Sequence, residues 1–501
     1  MTPSLNNKFD FIIIGAGLGG LSTGLLLQQK GAKVLILESH TVSGGCASYF
    51  RRISKSEPIG NFNFDVGATT LSGFREDQPL YKFTKDTGIE NIVRENLHKQ
   101  NTGIVIHNLL KEKIYRYADE KSWVNECAKK FGNEEGIKKF WELIFKLEKK
   151  SYKLIPSLRN FPPVKITDYF YLPKNPANIN LLYYLTRTVD DVLKKFDLEN
   201  NLPFKKFLNE QLMITAQAHT DNVPFLPACL ALNYPAETYY INGGMYSFSK
   251  IMQDRFTELG GEVLFKNKVE KITKNNSGYT ITTNKSEYST QKIISNAPIW
   301  NNESFFEDSE ARRYFQKLSN KNSEAWGAFT LYFGVEDNFN DYGSHYHQIH
   351  FKSSIAASGS VFVSLSKSGD KQKAPAGWRT VTVSTHIANP EEWKDYPEEV
   401  YEEKKRILTE EIMNSLEENF DNFLNCKKKF VLSGSPKTFE FYIKRKNGYV
   451  GGMPTTIKRN FFRQIPSNTP IDDFYLVGDT VFPGQGAPAV ILGAMMLTSN
   501  L

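Results

Sequence analysis

The chain predicts an α/β fold, in which a parallel sheet assembled from three separated stretches carries an inserted α+β region. Three observations lead there. Residues 9–14 are a short aromatic and β-branched run, which reads as a buried parallel strand. Gly15, Gly17 and Gly20 follow at G-x-G-x-x-G spacing, and residues 21–29 read as a helix with Gly31 just past its end. Residues 33–37 then form a second strand that delivers Glu38 at its tip. In such a unit the first glycine allows the tight turn. The second lets backbone approach a pyrophosphate, and the third lets helix and strand pack closely. The pyrophosphate would rest on the free N–H groups of the helix N-terminus. Glu38 would accept hydrogen bonds from a ribose, and its charge argues against a 2′-phosphate. The glycines alone are a weak signal; between a strand and a helix, with an acid ending the next strand, they are a strong one.

The second and third stretches follow the same logic. Residues 240–245 (YINGGM) turn into a helix over 246–259, ended by Gly260-Gly261. Strands are expected at 262–265 and 269–272, with a small sheet from 279–283 and 291–294 ending in SNAP at 295–298. Near the C-terminus a strand at 474–477 leads into Gly478-Asp479, a loop through Pro488, and a helix over 489–497. Asp479 would bond a ribityl chain or take backbone support near the pyrophosphate. N–H groups opening the last helix would face a flavin's pyrimidine edge and stabilise charge that develops on reduction. That third element favours FAD over NAD.

Between these stretches the pattern changes. Residues 134–153 carry apolar side chains at three- and four-residue spacing, as a helix with one buried face does. Residues 181–196 are a second amphipathic helix candidate, for core packing or for lipid contact, and 202–230 look helical with interruptions near Pro224 and Pro227. Pro162-Pro163 and the prolines at 173 and 176 mark loops. A second sheet is expected from 326–335, 361–365, 380–386 and 438–443, with a charged helix region over 390–420. The domain boundaries read as 1–75, 236–300 and 456–501 for the cofactor, and 76–235 with 301–455 for the substrate.

Composition narrows the function classes. The 501 residues are 40% hydrophobic and 13% aromatic, enough for a large core. The net charge of +7 is scattered in short clusters such as Lys427-Lys428-Lys429, which falls short of a nucleic-acid footprint. Four distant cysteines without a C-x-x-C imply reduced thiols and no zinc. No apolar run reaches a membrane span, and the first strand begins too early to leave room for a signal peptide. A cytoplasmic protein, peripheral to a membrane, is the expectation. His345 and His347 would share a strand face, but no cysteine or extra carboxylate supports a metal site. Arg51 and Arg52 are candidates to reach phosphates or the flavin edge, with plain exposure as the alternative. Glu237, Tyr239 and Tyr240 are candidates for a tunnel lining, with core packing as the alternative.

The stretches GAGLGGLSTG, ESHTVSGGCASYFRR, FDVGATTLSG and LVGDTVFPGQGAPAV together resemble the phytoene desaturase and carotenoid cis–trans isomerase family. NGGM, GGEV and SNAP fall at the expected places, and AWGAFTLYFGV with RKNGYVGGMPTT resembles the isomerase and cyanobacterial-type branch. Retinol saturases share much of this pattern. The resemblance implies a Rossmann-like FAD-binding domain with an inserted α+β substrate domain, and a lipophilic polyene drawn from a membrane. It implies that Gly15, Gly17, Gly20, Glu38, Gly44, Gly45, Val269, Gly478 and Asp479 contact FAD, with Gly484, Gly486 and Ala487 beside the isoalloxazine. One departure is the segment RRISKSEPIGNFNFDVG, which is longer than in many members. The chemistry implied is hydride movement between an allylic carbon and flavin N5, with the protein holding the polyene in a dry tunnel. A desaturase, a redox-neutral isomerase using reduced FAD and a saturase fit the same site. A flavin amine oxidase shares the scaffold but would need a polar pocket with an aromatic cage. The electron acceptor and the oligomeric state are left open.

Overall fold

The structure, a computed structural model, describes residues 8–155, 161–162, 179–307, 309–459 and 463–501. Of the expected proline loops, Pro163 and the prolines at 173 and 176 lie outside them.

The first sheet runs Glu262–Leu264, Val34–Leu37, Lys8–Ile14, Glu287–Ser295, Gly278–Thr283, Val269–Asn275. Lys8–Ile14 lies at its centre, parallel to both neighbours, with Ile14 opposite Leu37 on one side and Ser295 on the other. Ile12 and Ile13 are fully buried because both faces of this strand are covered. Glu287–Ser295 pairs in two ways. Its first half is antiparallel to Gly278–Thr283, and Ile293, Ile294 and Ser295 are parallel to Phe474–Leu476. Three distant parts of the chain therefore end their strands at one sheet edge. Helices Leu18–Gln29, Met245–Glu258 and Ala487–Asn500 pack over one face. Gly24 lets the first of them lie flat, since a Cβ there would come 2.9 Å from Ile36 Cδ1.

The second sheet runs Lys428–Gly434, Gly327–Glu336, Trp378–Ile387, Ser360–Leu365, Tyr346–His350, Thr102–His107, Ile114–Tyr117. Its last two strands come from before the long helices and its others from after them, so the inserted region is itself discontinuous. Helix Glu398–Asn419 covers one face through Leu408, Ile412 and Leu416, spaced at one helical turn. Helices Glu120–Phe131, Glu134–Leu154, Leu202–Thr215 and Phe225–Asn233 form a third layer around Trp123, Trp141 and Phe207. Arg116 is buried there, its guanidinium 4.4 Å from the Trp123 ring.

Three expectations need correction. Residues 438–443 are not a strand but lie in helix Pro436–Ile443. Ser435 and Thr438 cap it reciprocally and Pro436 occupies its first turn, so capping overrides the β-branched alternation. The expected helix over 181–196 is two, Ile179–Leu185 and Val189–Lys195, because Thr188 starts a new capping box with Asp191. Residues 202–230 are interrupted ahead of Pro224, as expected, but not at Pro227. Pro227 sits within the first turn of Phe225–Asn233, where a missing N–H costs nothing.

Buried histidines flank the second sheet. His107 Nε2 lies 3.1 Å from His347 Nδ1, and His347 Nε2 lies 3.1 Å from the Ser344 carbonyl. Burial lowers His107 and His350 to about 3, and His345 and His386 to about 4. Unfolded, each titrates near 6.5. Below that pH the unfolded chain binds more protons, so the stability present above about pH 6.5 is lost as pH falls towards 4. Each such histidine forfeits about 1 kcal/mol per pH unit in that window. The urea midpoint is therefore expected to fall steeply from neutral pH to about pH 5; a flat profile would contradict the neutral, buried state of these rings.

Candidate cofactor and active site

The strand Lys8–Ile14 leaves the sheet through Gly15, whose φ of +94° is a conformation that favours glycine. Gly17 then opens helix Leu18–Gln29, and no side chain caps it. A Cβ on Gly20 would lie 2.0 Å from the Gly15 carbonyl oxygen. The helix can therefore start here only on a glycine turn. Glu38 is 8% exposed and is fixed by backbone donors: Ala16 N–H to Oε2 and His40 N–H to Oε1, both at 2.7 Å. With Ser39 Oγ donating to Oε1 at 3.3 Å, at least one lone-pair position on the carboxylate stays open. The Glu38 carbonyl accepts from Asn267 N–H at 2.9 Å, two residues before Val269, which is buried and paired with Thr283.

The diglycine rides on that turn. Gly44 N–H donates to the Ala16 carbonyl at 2.8 Å, Gly44 bridges Gly17, and a Cβ on Gly45 would lie 3.4 Å from Gly17 Cα. From the C-terminal side, Gly478 follows strand Phe474–Leu476. Its N–H lies 3.2 Å from where a Gly19 Cβ would be. Asp479 comes next. A Cβ on Gly484 would meet nothing within 4 Å, so this loop borders open space. Gly486 precedes helix Ala487–Asn500, which opens at Ala487 without a side-chain cap.

The sequence reading missed three side chains here. Asn296, of the SNAP stretch, has its amide 2.5–3.0 Å from where Cβ atoms of Gly17, Gly19 and Gly478 would sit, so it is the wedge those glycines accommodate. Asp65, of FDVG, accepts from Met245 N–H at 3.0 Å and so caps helix Met245–Glu258. Burial raises the Asp65 pKa, against the pull of Lys373, whose Nζ donates to Oδ2 at 2.8 Å. Arg445, from the glycine-rich segment after helix Pro436–Ile443, reaches Asp479 and Cys46. Its Nη2 lies 3.0 Å from Asp479 Oδ2, and burial pushes the Cys46 thiol up against the pull of this guanidinium. Cys46 is thus a protonated thiol, not a nucleophile.

Other candidates do not converge on the turns. Arg51 and Arg52 are exposed on hairpin Tyr49–Ser54 and Gly60–Asp65, with Arg51 Nε donating to Asn63 Oδ1 at 3.0 Å. Tyr239 Oη donates to Glu237 Oε2 at 2.8 Å, and Tyr240 Oη to Asp370 Oδ2 at 2.6 Å. Asp370 also accepts from Gly243 N–H, so this group pins the loop through Asp370 over the NGGM turn. His345 faces Arg379 and Tyr240, away from His347's partner His107. Among the described residues no group of three His, Cys, Asp or Glu is placed to hold a metal ion.

A sheet whose parallel strands end in three glycine turns at one edge, two of them leading into uncapped helices, is the geometry of a dinucleotide-binding protein. More narrowly, the chain belongs to the family described as flavin containing amine oxidoreductase, whose sequence pattern matches residues 18–491. It is 28% identical over 510 residues to the chloroplastic prolycopene isomerase of Daucus carota, covering 98% of this chain and 79% of that protein. It is 23% identical over 525 residues to 1-hydroxycarotenoid 3,4-desaturase of Flavobacterium sp. (strain P99-3), covering 98% of each. The crystal structure of an oxidoreductase from Methanosarcina mazei shares the fold, with a TM-score of 0.60 at 16% identity, over 98% of this chain and 100% of that one. The protein is an FAD-dependent oxidoreductase, and the residues present fit FAD: the glycine turn, the open lone pair of Glu38 and the space beside Gly484.

Gly20→Ala is expected to abolish FAD retention, read as flavin absorbance per mole of purified protein. Gly31→Ala, at φ +87° with nothing within 4 Å of its Cβ, is expected to cost about 1 kcal/mol of stability and keep the flavin. Equal flavin loss in both variants would contradict the steric reading of the turn.

Proposed function

We propose that this protein moves hydride between a long apolar polyene of the carotenoid class and FAD. Residues 1–75, 236–300 and 456–501 would form the cofactor domain, and 76–235 with 301–455 the substrate domain. Gly15, Gly17, Gly20, Glu38, Gly44, Gly45, Val269, Gly478, Asp479, Gly484, Gly486 and Ala487 would contact the cofactor. The observation that carries the reading is the surrounding of the C-terminal cofactor loop. Among the described residues, Phe482 packs with Phe161, and Leu154, Ile155 and Met496 pack against this pair, an apolar cluster at that loop. Apolar packing beside the cofactor loop keeps water out and suits a hydrocarbon, which needs only shape and dryness. When bound, FAD supplies a two-electron acceptor or donor for an allylic carbon. The chain's own part is to orient and to exclude water. Gln485 donates to the Thr215 carbonyl and Gln217 to the Val450 carbonyl at 3.1 Å, so the end of helix Leu202–Thr215 and the following turn are tied to both loops beside the cofactor. A cleft of about 420 Å³ between His350 and helix Glu398–Asn419 is lined by Lys206, Lys352, Glu411 and Glu418, and suits no hydrocarbon.

A second reading, isomerisation with no net oxidation, is favoured by the similarity to prolycopene isomerase. Among the described residues no helix is long and apolar enough to cross a membrane. Peripheral contact is the proposal instead, in a cytoplasmic protein. It is supported by the exposed Ile53 and Ile59 at a hairpin tip beside Lys429, which donates to Ser54 and Ser56.

The test is anaerobic incubation of FAD-loaded protein in liposomes with a set of carotenes, following the flavin spectrum and the products by chromatography. Flavin bleaching with a longer conjugated product is the outcome expected of desaturation. A geometric isomer formed only after the flavin is pre-reduced, with no net oxidation, would assign the isomerase reading. Neither outcome with any carotene would overturn the polyene proposal.

A further inference from the structure

The hairpin turn between strands Thr102–His107 and Ile114–Tyr117 borders a second polar cleft, of about 380 Å³, to which no glycine turn contributes. Lys111, Lys113 and Lys130 line it against one carboxylate, Glu112. Lys130 Nζ pairs with Glu112 Oε2 at 2.5 Å. Among the described residues Lys111 and Lys113 have no carboxylate partner, and Lys113 lies 4.3 Å over the Tyr342 ring. The inner wall is His107, which is 1% exposed. A chain of contacts fixes where its proton sits. The Ser344 carbonyl can only accept, so His347 Nε2 carries the proton between them. Burial keeps His347 neutral, so its Nδ1 is a lone pair, and His107 Nε2–H donates to it at 3.1 Å. Burial and then Lys113 hold His107 at about 3, against the pull of Asp421, so this ring is neutral too. Its Nδ1 is therefore an acceptor, and among the described residues nothing donates to it. An acceptor left without a donor at a buried wall is costly. The lysine rim favours negative charge, while the wall requires a proton donor. At neutral pH sulfate and carboxylates meet only the first demand, and water or an amine only the second. An oxyanion that keeps an O–H meets both.

We propose that this cleft binds hydrogen phosphate, free or as the monoanionic end of a phosphate ester, its oxygens accepting from Lys111 and Lys113 and its O–H donating to His107 Nδ1. Lys113 opens the way to that nitrogen when its ammonium moves from the Tyr342 ring to the ion. The site is independent of the polyene reading. Isothermal titration calorimetry of the FAD-loaded full chain with sodium phosphate and with sodium sulfate, at neutral pH and constant ionic strength, tests it. One equivalent of phosphate is expected to bind, about tenfold or more tighter than sulfate, since only phosphate makes the charge-assisted hydrogen bond to His107. Lys111→Met and Lys113→Met are expected to weaken both anions while the flavin content stays unchanged. His107→Phe keeps a ring between Tyr342 and Phe420 and should erase the preference for phosphate. Glycerol 3-phosphate is the third probe: binding tighter than that of phosphate would name an esterified ligand and weaker binding the free ion, and either supports the proposal. Equal affinity of the wild type for phosphate and sulfate would reduce the cleft to an unselective basic patch and overturn it. Absence of phosphate binding, or phosphate binding that both lysine variants retain in full, would overturn it equally. If His107→Phe fails to fold, the wild-type preference and the two lysine variants decide by the same outcomes.

Discussion

The cofactor edge depends on one close approach, the first turn of helix Leu18–Gln29 lying on the carbonyl of Gly15. Any side chain at Gly20 would lift the helix, since a Cβ would come 2.0 Å from that oxygen. The displacement would pass to every group keyed to this backbone. Ala16 N–H would leave Glu38, the Gly44 N–H would leave the Ala16 carbonyl, and Asn296 would lose its seat against Gly17 and Gly19. Glycine in a helix costs up to about 1 kcal/mol at each position. The three in this helix are offset by packing against Ala487–Asn500 and Met245–Glu258, a contact that closes only at that short distance.

The two sheets are joined by charge as well as by apolar packing. Lys373, from the loop before strand Trp378–Ile387, donates to Asp65, which caps the helix after the NGGM turn, and Arg445 faces Asp479 beyond the C-terminal glycine turn. Buried ion pairs are poor sources of stability, because desolvation consumes most of the attraction. Removing one partner is worse, since it strands the other charge. These pairs therefore act on register: each is satisfied in one relative placement of loop and helix and penalised in the others.

Much of this architecture was legible in the sequence because it rests on short-range rules. The strand, glycine turn and helix of residues 9–29 are set by alternation, backbone sterics and helix spacing, all within one window. The three cofactor stretches could be read separately for the same reason. Residues 438–443 misled because Thr, Phe and Tyr suit a strand, while the decision lay in the Ser435 and Thr438 cap. Arg51 and Arg52 drew attention through their nearness in sequence to the diglycine, yet the hairpin turns them outward. The cation at the cleft came instead from Arg445, some four hundred residues away, a distance over which no local pattern carries information.

That distance has a consequence for chemistry. The polar groups of the cleft are already committed: Glu38 to backbone donors, Asp65 to Lys373 and a helix end, and Cys46 to the protonated form. Among these described residues none is a free base or nucleophile, which supports the proposal that the protein contributes placement while reactivity comes with the cofactor. Placement in turn requires pieces from the beginning, middle and end of the chain to meet, with the segment through Arg445, Gly451 and Gly452 pressed against Asp479 and Gln485. A Cβ on Gly452 would lie 2.2 Å from the Asp479 carbonyl oxygen, so this segment has no slack. The glycine turns and the segment through Gly452 are thus set by the same contacts, and a disturbance of either is transmitted to the other.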